Sequence, residues 1–438
     1  MKIRVFQSDK GDCLLLTSNS GKHRVLVDGG MTASYKEHVA PHLAKANGRA
    51  KPPKLDLVYL SHIDDDHIAG VLQLMNDLLD WRVFDFQQKK KKPSDKPPKK
   101  PKSLRPPEVA KIWHNAFHEL LKDNKGEISE MLAASTTILG TSSRPTARRI
   151  FDEHEGLALS KKQALQLARR TGPDQLAIPV NPEFDHKLML IKDETPELKV
   201  GPITFTLIGP FEADLKKLRD EWNEWLRANK GVLAEIRAKA KADEDRFKSD
   251  VDRLLAPLTM QASEFVDFQL GLAEKFGDRK EVTTPNLASL MLLAKEGKQT
   301  VLLTGDGHAA DAIKGLKERR ILDANGKLHV SVMKVPHHGS THNITPEFAR
   351  DITADDYIFC GNGFSTNPEI SVVNLIVKER RQAMPQIPFT LWFNSTEKVT
   401  KPSYRKHMRA LRKAVDAHVA SGGGKVKAKW ISGSFMDL

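Results

Sequence analysis

The chain has 438 residues, of which 39% are hydrophobic and 29% charged, and its formal net charge is +13. Its two cysteines exclude a disulfide framework, and its N-terminus lacks the continuous apolar run of a signal peptide. No stretch approaches the ~18 uninterrupted apolar residues of a membrane span, so we expect a complete cytoplasmic protein with a buried core and no membrane partner.

The first 85 residues predict alternating strands and helices. Short apolar or alternating runs predict β-strands, and longer runs with helical periodicity predict helices. Strands are expected at 2–7, 12–17, 24–27 and 55–61, and helices at 35–45 and 70–79. This alternation is typical of a layered α/β fold.

Two kinds of segment interrupt this pattern. Residues 87–107 contain six Pro among the Lys residues, which predicts an extended, mobile loop. Residues 108–172 and 212–276 have helical periodicity, so we expect two helical insertions there. One apolar face of the first insertion would comprise Val109, Ile112, Trp113, Phe117, Leu120 and Leu121.

The α/β pattern resumes in the second half of the chain. Strands are expected at 187–191, 203–208, 287–293, 300–303, 330–335, 357–360 and 389–393, and helices at 309–318, 372–381 and 403–419. We therefore predict a core at 1–85, 181–210 and 283–380, insertions at 86–180 and 211–282, and a basic C-terminal extension at 381–438.

A cluster of polar residues follows the strand expected at 55–61. Residues 61–70 read SHIDDDHIAG, in which His62 and His67 enclose three aspartates. A loop at the end of a strand can direct such side chains into one cleft, and imidazole and carboxylate groups are ligands of divalent metal ions. A helix cap would need only one of the aspartates. The cluster therefore predicts a metal site.

The pattern His-x-Asp-x-Asp-His resembles the signature of the metallo-β-lactamase fold, in the variant found in the hydrolase domain of ComEC-type DNA-uptake proteins. Other motifs of that variant are matched in the same order at 11–13 (GDC), 26–30 (LVDGG), Asn286 and Ser289, 304–306 (TGD) and 334–340 (KVPHHGS). The resemblance implies an α/β fold of the αββα sandwich type, here with large helical insertions and the basic extension.

The resemblance also implies a set of ligands for two divalent metal ions. One ion would be bound by His62 and Asp64, the second by Asp66 and His67, and both by Asp306. His337 or His338 would complete the second site. We favour His337, because it comes first after the strand; His338 would then support a ligand or donate a proton.

Departures from the family pattern bear on the identity of the metal. Asp64 stands where the family has a second His, and Asn286 is the candidate for the place of a further His. Asn367 and Pro368 stand where the variant has His-Pro. A site richer in oxygen shifts the preference from zinc toward manganese or magnesium, and zinc and manganese both remain open.

Two-metal chemistry predicts the reaction. Two ions about 3.5–4 Å apart share a water and lower its pKa, and the resulting bridging hydroxide attacks phosphorus. The candidate catalytic residues are Asp66, His338 and His342, and either histidine could protonate the leaving group. Asp65 would face solvent or orient a ligand.

The positive charge is concentrated in two stretches. Residues 87–107 contain eight Lys and one Arg against one Asp, a net charge of +8. Residues 378–430 contain thirteen Lys and Arg against three acids, a net charge of +10. Such stretches attract nucleic acid, so 87–107 and 403–430 are candidate nucleic-acid surfaces. A solubilising linker and a solvated helix face are the alternatives.

These observations favour a nuclease or another phosphodiesterase. A hydrolase of a small ester, lactone or nucleotide-type messenger is the alternative within this fold, because the scaffold serves many reactions. A third interpretation is a component of a multi-protein, defence-type system that docks a protein partner at the helical insertions. Binding that weakens steeply with salt would indicate nucleic acid rather than a small substrate.

Overall fold

The computed structural model describes residues 1–45, 51–115, 163, 166–192, 194–212 and 289–438. Within these ranges the strands form two sheets. The first contains β1 (Lys2–Phe6), β2 (Leu14–Thr17), β3 (Arg24–Val27), β4 (Leu57–Tyr59), β5 (Ile112–Trp113) and β14 (Phe435–Asp437). Its spatial order is β14-β1-β2-β3-β4-β5, so the first and last strands lie side by side. β3, β4 and β5 run parallel.

The second sheet has the spatial order β13-β12-β11-β10-β9-β8-β7-β6. It contains β6 (Leu198–Val200), β7 (Ile203–Gly209), β8 (Met291–Glu296), β9 (Gln299–Leu303), β10 (Leu328–Lys334), β11 (Ile352–Phe359), β12 (Phe389–Phe393) and β13 (Val426–Trp430). The five strands from β9 to β13 are parallel. β10 and β11 are covered on both faces, since Met333 and Tyr357 pack in the outer apolar layer and Val332 and Ile358 in the inner one.

The two sheets enclose one apolar layer and carry helices on their outer faces. The inner layer joins residues such as Ile3 and Val25 of the first sheet to Phe205 and Val301 of the second. The first sheet is covered by α1 (Thr32–Ser34), a π-helical turn (Tyr35–Val39), α2 (Ala40–Leu43) and α3 (Asp65–Lys90). The second is covered by α4 (Ala309–Glu318), α5 (Pro346–Asp351), α6 (Ile370–Ala383) and α7 (Arg405–Ser421). This arrangement confirms the predicted αββα sandwich.

None of the described helices is both long and apolar enough to cross a membrane. Helix α4 shows why the predicted helices form. Ala309, Ala312 and Leu316 repeat at helical spacing and are buried against the second sheet, while Nδ1 of His308 accepts a hydrogen bond from the backbone N–H of Ala310 at 3.1 Å.

The structure corrects the helix predicted to begin at 108. Val109 pairs with Leu55 in an isolated bridge, and β5 extends the first sheet beside β4. Apolar residues at this spacing suit a buried helix face and a short buried strand equally, and the available edge of β4 decides between them. The other predicted positions of that helix face, Phe117, Leu120 and Leu121, lie outside the described residues.

The Lys- and Pro-rich stretch at 87–107 is tied to α3 rather than free. Its first residues, up to Lys90, belong to that helix. Farther along, the indole N–H of Trp81 donates to the carbonyl oxygen of Ser103 at 3.1 Å, and Arg105 makes two 2.7 Å hydrogen bonds to Asp85. The expectation of an extended loop is therefore wrong at 87–90, and the expected mobility of the remainder stays a prediction.

Among the described residues, the short elements were poorly predicted from the sequence. Of the strand expected at 187–191, only Ile191 pairs, in an isolated bridge with Phe211. β6 and β14, with three residues each, were not expected. Sequence periodicity carries little information over three residues, and their pairing depends on distant partners. The domain boundaries proposed above stay predictions.

Candidate metal centre

The predicted metal ligands meet at one end of the two sheets. His62 follows β4, Asp306 follows β9, and His337 and His338 follow β10. Because β3 and β4 are parallel, and β9 and β10 are parallel, the carboxyl ends of neighbouring strands lie at the same edge. Side chains in the following loops therefore converge on one cleft.

The first turn of α3 adds Asp66 and His67 to this cluster. The carbonyl oxygen of Asp64 accepts a hydrogen bond from the backbone N–H of His67 at 2.9 Å, which closes the turn. The loop after β3 packs directly on it, since a Cβ atom on Gly70 would lie 2.0 Å from the carbonyl oxygen of Gly29. Such a close backbone approach requires glycine.

Three buried imidazoles direct nitrogen atoms at Asp306. Nε2 of His62, His67 and His338 has no hydrogen-bond partner among the described residues. These atoms lie 3.7, 3.5 and 3.3 Å, respectively, from a carboxylate oxygen of Asp306. Nε2 of His338 is also 3.3 Å from Oδ2 of Asp66. Buried imidazole nitrogens that face carboxylates without making a hydrogen bond fit a divalent metal ion.

The remaining predicted ligands border the same space. Nε2 of His62 is 3.5 Å from Oδ2 of Asp64, its predicted partner at the first ion. Nε2 of His337 is 3.6 Å from Oδ2 of Asp306, and the side chain of His337 is 26% exposed, compared with 6% for His338. All of the predicted ligands are thus adjacent, and the choice between His337 and His338 stays a prediction.

Two buried carboxylates form hydrogen bonds with the Nδ1 atoms of the imidazoles, on the side of each ring away from Nε2. Nδ1 of His67 donates to Oδ2 of Asp28 at 2.9 Å, and Asp28 also accepts the backbone N–H and the hydroxyl of Ser61, both at 2.7 Å. Nδ1 of His338 donates to Oδ1 of Asp12 at 3.1 Å. A carboxylate at Nδ1 keeps the proton there and leaves the Nε2 lone pair available to a metal.

Asp12 and Lys334 are site residues that the sequence did not assign. Asp12 offers an oxygen within 4.8 Å of ligand atoms of His67, Asp306 and His338, which alone would make it a candidate ligand. Both of its oxygens are engaged, however: Oδ1 by His338 and Oδ2 by the ammonium group of Lys334. We therefore assign Asp12 to positioning His338 rather than to binding metal.

The structure also locates the secondary candidates. His342 is exposed on the turn after the histidine pair. Asp65 accepts a 2.6 Å hydrogen bond from the side chain of Gln163, so it has a protein partner. Ser289 is buried, and its hydroxyl has no hydrogen-bond partner among the described residues. Asn286 lies outside the described part of the chain.

Opposing charges dominate the protonation of the cluster. Burial acts to raise the pKa of Asp306, but His338 and His67 hold it well below its usual range. Burial also acts to raise the pKa of Asp12, yet Lys334 and His338 lower it to about 2. Conversely, burial acts to lower the pKa of His67 and His338, but Asp306 raises both well above the ordinary value. A divalent ion would replace protons here.

One comparison with known proteins agrees with this geometry. Residues 9–78 match the family model of the metallo-beta-lactamase superfamily, whose members are mostly metal-dependent hydrolases. The matched segment contains Asp12, Asp28 and the cluster at 61–70. No curated protein matches the chain. The match is to the superfamily in general, so the finer likeness to DNA-uptake proteins stays a prediction.

Proposed function

We propose that the protein is a hydrolase that requires two divalent metal ions and cuts phosphodiester bonds. The observation that carries this proposal is the convergence of three buried Nε2 atoms, those of His62, His67 and His338, on Asp306. The match of residues 9–78 to a superfamily of mostly metal-dependent hydrolases supports the hydrolytic part.

The donor set suits two ions with mixed nitrogen and oxygen ligands. One ion would be held by His62 and Asp64, the other by Asp66, His67 and a histidine of the 337/338 pair, and both by Asp306. When bound, such ions act as Lewis acids and make water nucleophilic near neutral pH. Either zinc or manganese is compatible with these donors.

The protein's own groups would orient the site and move protons. Asp28 and Asp12 keep a proton on Nδ1 of His67 and His338, so each ring presents Nε2 to the cleft. We assign protonation of the leaving group to His342, because Nε2 of His338 already faces two carboxylates. The exposed position of His342 is compatible with contact to a departing strand.

The basic helix α7 supports a nucleic-acid substrate. Its residues Arg405, Lys406 and Arg409 are exposed, whereas its apolar face packs on the second sheet. Its first turn contacts the loop at 361–368, which we name the rim loop: Nε2 of His407 is 2.9 Å from the carbonyl oxygen of Pro368. This positive surface therefore begins beside the cleft, where a polyanion would be bound.

The other basic stretch begins far from the cleft. Helix α3 starts at Asp65, beside the cluster, and ends at Lys90 after 26 residues. At 1.5 Å per residue its far end is about 39 Å away. Residues 403–430 are therefore the better proposal for the surface that binds substrate, and 87–107 is the weaker one.

Metal add-back tests this proposal. The purified protein is stripped with chelator, its metals are counted, and manganese, zinc or magnesium is returned in the presence of labelled single- and double-stranded DNA and RNA. We expect cleavage to return with at least one metal. A His67→Ala variant should bind less metal and should not cleave.

The controls separate the two parts of the proposal. An Asp56→Asn variant should behave like the parent. The carboxylate of Asp56 lies outside the cluster and accepts a hydrogen bond from the backbone N–H of Arg24. Two bound metals per chain with no cleavage of any polymer would contradict the phosphodiesterase and favour a small ester, lactone or nucleotide. Absence of bound metal would contradict the hydrolase itself.

A further inference from the structure

We propose that Phe364 and Lys10 form a subsite for one nucleotide unit of a single-stranded nucleic acid, with the base stacked on the Phe364 ring and a phosphate beside the Lys10 ammonium. The inference rests on the proposed phosphodiesterase function and narrows its substrate to an unpaired strand. It begins from an aromatic side chain that the fold leaves uncovered at the edge of the cleft.

Phe364 has a partly exposed ring in a defined place. It is 44% exposed, and within the described ranges it shares this property, among aromatic residues, only with Phe86. Its ring meets that of Tyr404 edge-on, with centroids 6.0 Å apart. An aromatic ring exposed beside a proposed active site offers a flat apolar surface on which a planar ligand can stack.

The rim loop holds this ring in a fixed and strained conformation. Gly363, Ser365 and Thr366 all have positive φ, at 94°, 49° and 63°, and two of these three residues are not glycine. The backbone N–H of Phe364 donates to Oδ1 of Asn362 at 3.0 Å, which braces the turn. Consecutive residues in this region cost free energy and persist where the surroundings enforce them, as at ligand-binding loops.

Contacts on one side join the rim loop to the cluster of predicted metal ligands. The ammonium of Lys10 is 4.8 Å from the centroid of the Phe364 ring. The next residue, Gly11, packs so closely on the first turn of α3 that a Cβ atom there would lie 1.7 Å from the carbonyl oxygen of Asp66. The side-chain amide of Asn362 donates to Asp9, which fastens the two loops together.

Contacts on the other side reach the histidine pair. The backbone N–H of Glu369, just after the rim loop, donates to the carbonyl oxygen of Gly339 at 3.0 Å. A Cβ atom on Gly339 would lie 3.2 Å from the side chain of Pro368. The ring of Phe364 thus stands on a loop wedged between Lys10 and the turn that carries His338.

The charge around the ring favours a nucleic-acid strand over an uncharged aromatic ligand. Lys10 lies over the ring on the cluster side, and the exposed Arg405 and Lys406 follow Tyr404 on the other. A base can stack on the ring while its flanking phosphates meet these cations. Bases in a duplex are already stacked and paired, so the ring selects an unpaired strand or end.

A stacking assay tests the subsite independently of cleavage. The probe is a short oligonucleotide that contains 2-aminopurine, with a phosphorothioate backbone that resists hydrolysis, added to the metal-loaded protein. Stacking on Phe364 should quench the fluorescence. Phe364→Leu should bind about tenfold more weakly and lose the quenching, whereas Phe364→Tyr should retain both.

Phe86→Leu is the matched control. Phe86 is 62% exposed and has Lys90 at 6.0 Å from its ring centroid, but it lies near the far end of α3. We expect this variant to bind like the parent. Lys10→Gln should weaken binding and lower the slope of log affinity against log salt by about one. The Lys10→Gln variant should still quench the 2-aminopurine fluorescence of the strand that it binds, because the Phe364 ring remains.

The outcomes distinguish this inference from the proposed function. Parental quenching that is lost in Phe364→Leu would support the subsite even if no strand is cut, in which case only the phosphodiesterase would fail. Cleavage with an unchanged KM in Phe364→Leu would overturn the subsite and leave the phosphodiesterase intact. Equal losses in Phe86→Leu and Phe364→Leu, or no binding by the parent, would also overturn it.

Discussion

Lys334 and Asp12 form an ion pair inside the cluster of predicted metal ligands, and their side chains are only 2% and 1% exposed. Lys334 ends β10 of the second sheet, whereas Asp12 lies in the loop between β1 and β2 of the first, so the pair joins the two sheets at the cleft. Lys334 also donates to the carbonyl oxygen of Gly305 at 3.0 Å and lies 3.5 Å from Oδ1 of Asp306. A fixed positive charge thus accompanies the carboxylates of the site.

Removal of this ammonium should destabilise the metal-free protein. Lys334→Met would leave the buried carboxylate of Asp12 without its cation, which we expect to lower the free energy of unfolding by about 3–5 kcal/mol. Urea unfolding of the chelator-treated protein measures this loss. The deficit should shrink when metal is returned, because the ions supply positive charge. Lys295→Met, at an exposed position of β8, is the control, and an equal loss there would contradict the prediction.

Metal binding should release protons. In the metal-free protein, neighbouring carboxylates, above all Asp306, raise the pKa of His67 and His338 well above the ordinary value, which favours the protonated form of both rings. A metal must displace these protons, and its affinity should therefore increase as the pH rises. Calorimetric titrations in two buffers with different ionisation enthalpies should give different heats, which would indicate the release of protons. Identical heats in both buffers would refute the prediction.

The same groups set the pH dependence of the metal-free fold. Because the folded-state pKa of His67 and His338 exceeds the unfolded value of ~6.5, their stabilisation is full below that pH and is lost as the pH rises through the folded-state pKa. The contribution of Asp12 to stability has the opposite pH dependence. Its contribution is present above the unfolded pKa of ~3.9 and is lost as the pH falls toward about 2.

The carboxylate behind His67 should control metal affinity without contacting the metal. The carboxylate of Asp28 accepts three hydrogen bonds through its two oxygens. Asp28→Asn would replace one of these oxygens by an NH2 group, which donates hydrogen bonds and cannot accept them. We expect metal affinity to fall about 10- to 100-fold while the fold is retained. Competition against a chelator of known affinity measures this change. Asp56→Asn is the isosteric control, and a parental affinity in Asp28→Asn would rule out the orienting role.

The proximity of the predicted ligand side chains could be predicted because its signal is local. His62, Asp66 and His67 lie within six positions of one another, and Asp306 follows a strand whose apolar run is evident in the sequence. Each of these residues sits at the end of a strand or the start of a helix, where periodicity changes visibly. The αββα sandwich was accessible for the same reason, since its main strands and helices are long enough to show their period.

The positioning residues could not be predicted, because their roles arise from tertiary contacts. Asp12 was visible only as part of a Gly-Asp-Cys motif, and its partner Lys334 belongs to the other sheet. No local pattern in the sequence singles out Phe364, whose contact with Lys10 arises only from the fold. The helix predicted at 108 failed likewise, because the pairing of Ile112 with β4 is invisible in local periodicity.

Charge neutralisation on α7 should reveal which basic stretch binds the strand. We expect Arg405→Gln combined with Arg409→Gln to weaken binding of a short oligonucleotide and to lower the slope of log affinity against log salt by about two. The matched double variant Lys89→Gln and Lys90→Gln removes the same charge from exposed positions at the far end of α3. A short strand engaged at the cleft cannot reach that end, so this variant should bind and cleave like the parent. Equal losses in the two double variants would instead indicate non-specific attraction to the overall positive charge, and a loss confined to the Lys pair would transfer the binding surface to 87–107.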